Sequence, residues 1–138
     1  MRLATIALAL GVSAAGAAIA AKPSPLGPPP PSGAGLPAGQ CFRSQEIRNH
    51  TIGDPSTLLI NVRGKESYRV TMRGACLAGA TASDPIITRS PPGSTIICKP
   101  IDMDVSISKG GFATPCIVDS IVRLSPDEIA ALPRKLKP

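Results

Sequence analysis

The chain has 138 residues, enough for one domain, and carries a net charge of +6 with only three aromatic side chains. The charge does not indicate nucleic-acid binding, because residues 41–128 contain ten Lys or Arg against nine Asp or Glu and offer few rings for base stacking. We therefore expect no nucleic-acid partner. The remaining excess of positive charge lies partly in a basic tail, residues 134–138. We interpret this tail as a solvated, frayed end that could touch an acidic surface weakly.

Residues 1–20 have the pattern of a signal peptide. Arg2 supplies the positive charge, an apolar run follows at 3–12, and Ala18-Ile19-Ala20 fits the small-x-small cleavage pattern. Cleavage is expected after Ala20, with Ala21 as the second choice. The longer stretch 3–21 is just long enough to span a bilayer, so a retained anchor is the alternative. We expect membrane contact only through this segment before cleavage.

Residues 21–40 are rich in Pro and Gly, with seven prolines between 22 and 40. Such a composition predicts an extended or disordered linker, because too little apolar surface is present to offset chain ordering. Pro28–Pro31 could serve as a polyproline ligand. A simple spacer is the favoured interpretation.

Four cysteines follow the predicted signal peptide: Cys41, Cys76, Cys98 and Cys116. An even number in an exported chain predicts two disulfides, and no C-x-x-C spacing points to a metal knuckle or a redox motif. Chain order favours the pairs Cys41–Cys116 and Cys76–Cys98, although two other connectivities remain open. Each bridge in so small a domain adds about 3–4 kcal/mol, which is comparable with its net stability.

The clearest structural pattern is a β-hairpin. Apolar and polar residues alternate through 57–63 and again through 67–73, on either side of a short turn that contains Gly64. We expect Ile60 and Val70 to face the core. Arg69 and Arg73 should face water, so that Arg69→Asp would be tolerated.

Further short strands are predicted from Glu46 onward and at 86–88, 94–99, 101–108 and 116–124. Gly and Pro clusters separate these segments. Five or six short strands at this spacing predict a mainly β domain, residues 41–133, built as a small antiparallel barrel or sandwich.

A short helix is predicted after the last strand. Ser125 can cap it, Pro126 suits its first position, and Glu128 can complete a capping box. Ile129 and Leu132 should pack on the sheet, and Pro133 ends the helix.

Short motifs surround the cysteines in the order Cys41-Phe42, Tyr68-Arg69-Val70, Cys76-Leu77, Ile97-Cys98 followed by Asp102, and Cys116-Ile117-Val118-Asp119. In this order, residues 41 to about 124 resemble a domain-of-unknown-function family of small exported proteins from Gram-negative bacteria. The resemblance implies an exported, disulfide-bonded domain and supplies no reaction. The chain has Lys99-Pro100-Ile101-Asp102 where Gly-Asp often follows the third cysteine in the family, so a role for that turn does not carry over.

Candidate catalytic and metal-binding residues are few. His50 is the single histidine, and no G-x-S-x-G motif accompanies it. Asp102 and Asp104 share one face of a predicted strand and could bind Ca²⁺ with Asp84 or Asp119, but calcium needs six to eight oxygens. A turn histidine and a solvated strand face are the favoured interpretations, so no catalytic residue, metal ligand or cofactor is assigned.

The sequence therefore predicts a periplasmic or secreted protein. Its expected role is that of a non-catalytic binding or accessory module that contacts an unknown envelope component, protein or glycan. The alternatives are a small secreted hydrolase or metal-dependent enzyme, or a secreted inhibitor-like domain.

Overall fold

The computed structural model describes residues 24–138. The predicted signal peptide, residues 1–20, and its cleavage sites lie outside the described residues. The nine strands are β1 (Phe42–Arg43), β2 (Ile47–Asp54), β3 (Thr57–Val62), β4 (Glu66–Met72), β5 (Ile86–Arg89), β6 (Ile96–Ile97), β7 (Asp104–Lys109), β8 (Phe112–Cys116) and β9 (Val118–Arg123). Helix α1 spans Pro126–Ala131, and single 3₁₀ turns span Ser44–Glu46, Pro100–Asp102 and Arg134–Leu136.

The strands form three antiparallel sheets. The largest has the order β2-β3-β4-β9, the second β5-β7-β8, and β1 and β6 form a two-stranded ribbon. The prediction of a mainly β, antiparallel domain with one short helix is confirmed. The strands are more numerous than the five or six expected, and in the described part of the chain the sheets do not close into a barrel.

One apolar core joins the three sheets. Its fully buried members include Ile60, Tyr68 and Val70 from the four-stranded sheet, which pack with Val105 of β7 and with Phe42 of the ribbon. The rings of Phe42 and Tyr68 lie 4.7 Å apart, centroid to centroid. Burial of Ile60 and Val70 confirms the core face predicted from the alternation.

The predicted hairpin is β3 and β4, joined at Arg63-Gly64-Lys65. Arg63 and Gly64 both have positive φ, 56° and 73°, and the Lys65 amide donates to the Val62 carbonyl at 3.1 Å. Positive φ at both central positions belongs to turns whose twist matches that of the paired strands. Gly64 therefore supplies one of the two unusual conformations that the turn requires.

The second half of the chain departs from the predicted strands. The segment expected as one strand, 116–124, is divided at Ile117, where the chain leaves the second sheet at the end of β8 and enters the first as β9. The strand expected at 101–108 begins at Asp104, after a 3₁₀ turn, and the strand expected at 94–99 is reduced to Ile96–Ile97. β8 was not predicted, because four of its five side chains are exposed and it holds a proline.

A second, smaller apolar cluster covers the outer face of the four-stranded sheet. It consists of Leu59, Leu124 and Leu132 together with Leu26 and Leu136. The predicted capped helix α1 is confirmed, and Leu132, the residue directly after it, packs here as expected.

The basic tail differs from its prediction. Arg134–Leu136 forms a 3₁₀ turn, Leu136 is buried, and the Leu136 carbonyl accepts a 2.8 Å hydrogen bond from the Thr51 hydroxyl. The expectation of a frayed end is therefore wrong, because one apolar side chain in a basic sequence is enough to dock the turn on the sheet.

Residues 24–40 were expected to be an extended or disordered linker, and they are instead packed on the domain. Leu26 and Leu36 are buried, the Ile121 amide donates to the Ala34 carbonyl at 2.8 Å, and the Leu36 amide donates to the Cys98 carbonyl at 2.7 Å. Prolines lose little backbone freedom on ordering, so two leucine anchors and a few hydrogen bonds hold the segment. We call residues 24–36 the proline strap.

Two disulfides join all four cysteines, as predicted, but their pairing is one of the two that were not favoured. The structure shows Cys41–Cys98 and Cys76–Cys116, with Cα–Cα distances of 4.7 and 5.7 Å, and not the favoured Cys41–Cys116 and Cys76–Cys98. Cys41 precedes β1 and Cys98 follows β6, and since these strands are antiparallel the two cysteines lie opposite each other. Two disulfides indicate folding in an oxidising, non-cytoplasmic compartment.

Within residues 24–138, no helix is long and apolar enough to cross a membrane.

Candidate functional site

His50 lies on β2 and is half-buried. Its Nε2 atom is 3.2 Å from the Asp84 main-chain oxygen, and the ring lines a cavity of about 190 Å³ together with Ser44. The Ser44 hydroxyl, however, is 3.5 Å from the Ser90 hydroxyl. Because the ring hydrogen bonds to a main-chain oxygen and not to a hydroxyl, the described residues form no nucleophile–base pair here.

Asp102 and Asp84, two of the aspartates considered for Ca²⁺, bind backbone amides at separate places. The Asp102 carboxylate accepts hydrogen bonds from the Cys98 and Lys99 amides at 3.1 and 2.8 Å and so closes the turn before β7. Hydrogen bonds from the Thr81 amide and hydroxyl lower the pKa of Asp84. Residues 24–138 contain no group of three or more His, Cys, Asp or Glu side chains placed to hold a metal ion.

An exposed apolar groove is the most distinctive surface of the described domain. Ile101 and Ile117, 78% and 64% exposed, both line a cavity of about 610 Å³. We call this the Ile101–Ile117 groove. Met103 and Val118, both buried, also line it. Solvent-exposed isoleucines beside a concave surface are typical of a site that binds an apolar group.

Local geometry explains why both isoleucines are exposed. Ile101 lies in the 3₁₀ turn Pro100–Asp102, which the Asp102 carboxylate fixes. Ile117 lies between buried Cys116, the last residue of β8, and buried Val118, the first of β9. The change of sheet at this corner therefore leaves Ile117 exposed. Neither exposure was predicted from the sequence, where both residues lay within the predicted strands 101–108 and 116–124.

Polar groups lie around the groove. Arg73 and Asp119 line it, with Arg73 Nη2 3.5 Å from Asp119 Oδ1, and the Ser32 hydroxyl of the proline strap donates to Asp119 Oδ2 at 2.8 Å. Asp104 lines it as well. An apolar surface with polar groups at its margin is the common composition of a protein interface. The groove is therefore equipped to hold an aliphatic side chain between charged groups.

A second notable residue, Arg69, was expected to face water and is instead 7% exposed. Its guanidinium donates to the Pro28 carbonyl at 2.9 Å and to the Leu26 carbonyl. The predicted alternation was correct, but the outer face is covered by the proline strap. The expectation that Arg69 is solvated is therefore wrong.

Arg69 also lines a cavity of about 300 Å³, which is bounded by the strap and by α1. Glu128 of α1 lines this cavity too. The pKa of Glu128 is lowered first by the hydrogen bond from the Ser125 amide and, to a smaller extent, by the positive charge of Arg69.

At the end of the hairpin, the Tyr68 hydroxyl contacts two oxygens. It donates toward the Gln40 carbonyl at 3.1 Å and lies 3.2 Å from Glu66 Oε2. Burial and the negative charge of Glu66 raise the pKa of Tyr68 to about 12. Glu66 also pairs with Arg123 at 3.1 Å, so this cluster ties β4 to β9 and leaves no unpaired acid or base for chemistry.

No protein-family model, curated protein or solved structure matches the chain. The resemblance to a family of small exported proteins therefore stays a prediction.

Proposed function

We propose that this chain is an exported, non-catalytic binding module of the cell envelope, periplasmic or secreted, that contacts its partner through the Ile101–Ile117 groove. The observation that carries the proposal is the exposure of two isoleucines at one concave surface of about 610 Å³. Leaving such side chains in water costs about 1.5–3 kcal/mol each relative to burial, so covering them favours association.

The use made of the ionisable groups also supports a binding role. The carboxylates of Asp54, Asp84, Asp102 and Glu128 accept hydrogen bonds from backbone amides, and His50 contacts a main-chain oxygen. These side chains stabilise turns and caps and are not directed together into a cavity. A small hydrolase or metal-dependent enzyme would need such a convergent set.

An inhibitor-like domain is a second candidate. The observation that favours it is the Lys109–Phe112 end of the β7–β8 hairpin, where Phe112 is 80% exposed beside two glycines of positive φ. A protruding aromatic side chain on a disulfide-stabilised hairpin is suited to insertion into a partner's pocket.

The test is capture of partners from a periplasmic extract by the tagged mature protein, with matched single substitutions. Ile117→Asp should abolish capture of the partner, because it buries a carboxylate against apolar surface. Phe112→Asp, the same kind of apolar-to-acid change at another exposed position, should leave capture unchanged. Circular dichroism should show all three proteins equally folded.

The opposite pattern, with capture lost only in the Phe112 variant, would favour the inhibitor-like role. Absence of any partner, together with turnover of a generic ester or glycan by the purified protein, would refute the binding role in favour of an enzyme.

A further inference from the structure

Three buried polar side-chain atoms lie together on the outer face of the four-stranded sheet without a hydrogen-bond partner among the described residues. They are Arg69 Nε, Thr71 Oγ1 and Ser120 Oγ. Arg69 and Thr71 are two apart on β4 and share a face, and Thr71 is directly opposite Ser120 of β9. Buried polar groups in folded proteins are normally hydrogen-bonded, so three neighbouring ones without a partner leave this face able to donate further hydrogen bonds.

The proline strap covers this face, and its run of prolines offers hydrogen-bond acceptors but no backbone donors. Pro28–Pro31 provide four carbonyl acceptors and no amide donor. The guanidinium of Arg69 provides donors and no acceptor, and it binds the Leu26 and Pro28 carbonyls. A face that presents donors is chemically matched to a polyproline segment, whose backbone can only accept.

Leu26 supplies the apolar part of the interaction. It is 5% exposed and packs with Leu59 of β3, Leu124 and Leu132. The 24–31 part of the strap is thus bound through one leucine anchor, Leu26, and two carbonyls, those of Leu26 and Pro28. This arrangement of an anchor pocket and carbonyl-binding donors is one of the general modes by which proteins recognise proline-rich peptides.

We propose that the outer face formed by β3, β4 and β9 is a binding site for leucine-anchored, proline-rich extended segments, and that residues 24–31 occupy it in cis. The occupant in trans is an extended segment of another protein with the pattern Leu-x-Pro followed by further prolines. The seated strap identifies that chemistry, because it is the segment whose fit the structure displays.

The cis segment acts as a competitor for this site. A tethered segment has an effective concentration in the millimolar range, so an external peptide of equal intrinsic affinity binds the intact chain only at comparable concentrations. The unpartnered Nε and hydroxyl atoms show that the cis fit leaves donors unused. A trans ligand that satisfies them, or any change that loosens the strap, opens the site.

The test uses a fluorescein-labelled peptide with the sequence of residues 24–34 and fluorescence polarisation on the full mature chain. Leu26→Ser in the chain removes the cis anchor, and it should lower the apparent Kd for the peptide at least tenfold relative to the unaltered chain. Pro31→Ser, at an exposed strap position, should behave as the unaltered chain does. A peptide that carries Leu26→Ser should bind neither protein.

The Leu26 variant could also lose its fold, so a second measurement uses the unaltered chain. Titration with the unlabelled peptide to several millimolar, followed by two-dimensional NMR, should shift the amides of Arg69, Thr71 and Ser120 in a saturable manner. The proposal is overturned if the folded Leu26 variant binds the peptide no more tightly than the unaltered chain. It is equally overturned if these amides do not shift, or if the leucine-free peptide binds as well.

Discussion

Replacement of Arg69 by methionine tests how the proline strap is held. Methionine keeps the unbranched apolar stem of the side chain and removes the guanidinium that binds the Leu26 and Pro28 carbonyls. Arg73→Met, at the residue directly after β4, is the matched control, since the Arg73 side chain is 71% exposed and makes one long contact with Asp119. The two substitutions differ only in what the original side chain contacts.

The expected magnitudes separate the two sites. A hydrogen bond to a charged group contributes about 1.5–3 kcal/mol, and Arg69 makes two. Methionine also relieves the cost of the desolvated, partnerless Nε, about 1–3 kcal/mol, so a net loss of about 2–3 kcal/mol remains. The exposed Arg73 pair is worth about 0–1 kcal/mol.

Urea unfolding provides the measurement, with Tyr68 fluorescence as the probe, because Tyr68 is the single tyrosine, is buried, and the chain contains no tryptophan. With a slope near 1–2 kcal/mol per molar urea, Arg69→Met should lower the midpoint by about 1–3 M and Arg73→Met by much less. Equal midpoints for the two variants would refute the conclusion that buried carbonyl contacts hold the strap.

Three further outcomes follow from the same structure. Reduction of both disulfides, which close sequence separations of 57 and 40 residues, should cost about 4 kcal/mol each, and an unchanged melting temperature by circular dichroism would contradict this. Leu136→Ser should lower the melting temperature, whereas Lys135→Ser should not. Equal melting temperatures for the two variants would indicate that the tail is frayed. The Ser125 amide lowers the pKa of Glu128 below 4.5, so its stabilising effect is complete above about pH 4.5 and is lost as the pH falls through the folded-state pKa. Glu128→Gln should flatten the acid limb of a stability–pH curve, and an unchanged limb in this variant would show that the cap is not formed.

Local patterns gave correct predictions wherever the chain's own neighbours determine the structure. The hairpin of β3 and β4 follows from period-two alternation around Gly64, and α1 follows from Ser125 and Glu128, which bind each other's backbone amides. Both depend on residues within about fifteen positions of each other. Such local interactions can be predicted from the sequence, because no competing conformation fits the same pattern of residues.

Contacts between distant segments were not predictable in this way. Cys41 meets Cys98 because the two-residue strands β1 and β6 pair, and strands that short carry no readable periodicity. Arg69 is buried because the proline strap, about forty residues earlier, lies over it. The composition of residues 21–40 is typical of disorder, so the anchoring role of Leu26 and Leu36 was not predicted. Their placement depends on surfaces that exist only in the folded domain.

The disulfides and the Ile101–Ile117 groove are connected through the chain. Ile117 directly follows Cys116, and Ile101 is three residues after Cys98, so each side of the groove is next to one bridge. The Asp102 carboxylate, which binds the Cys98 amide, extends that restraint to the turn that holds Ile101. Segments fixed in this way lose little conformational entropy when a partner binds, which is the condition under which a modest apolar surface gives useful affinity. The bridges therefore support the proposed binding role at the same residues where they stabilise the fold.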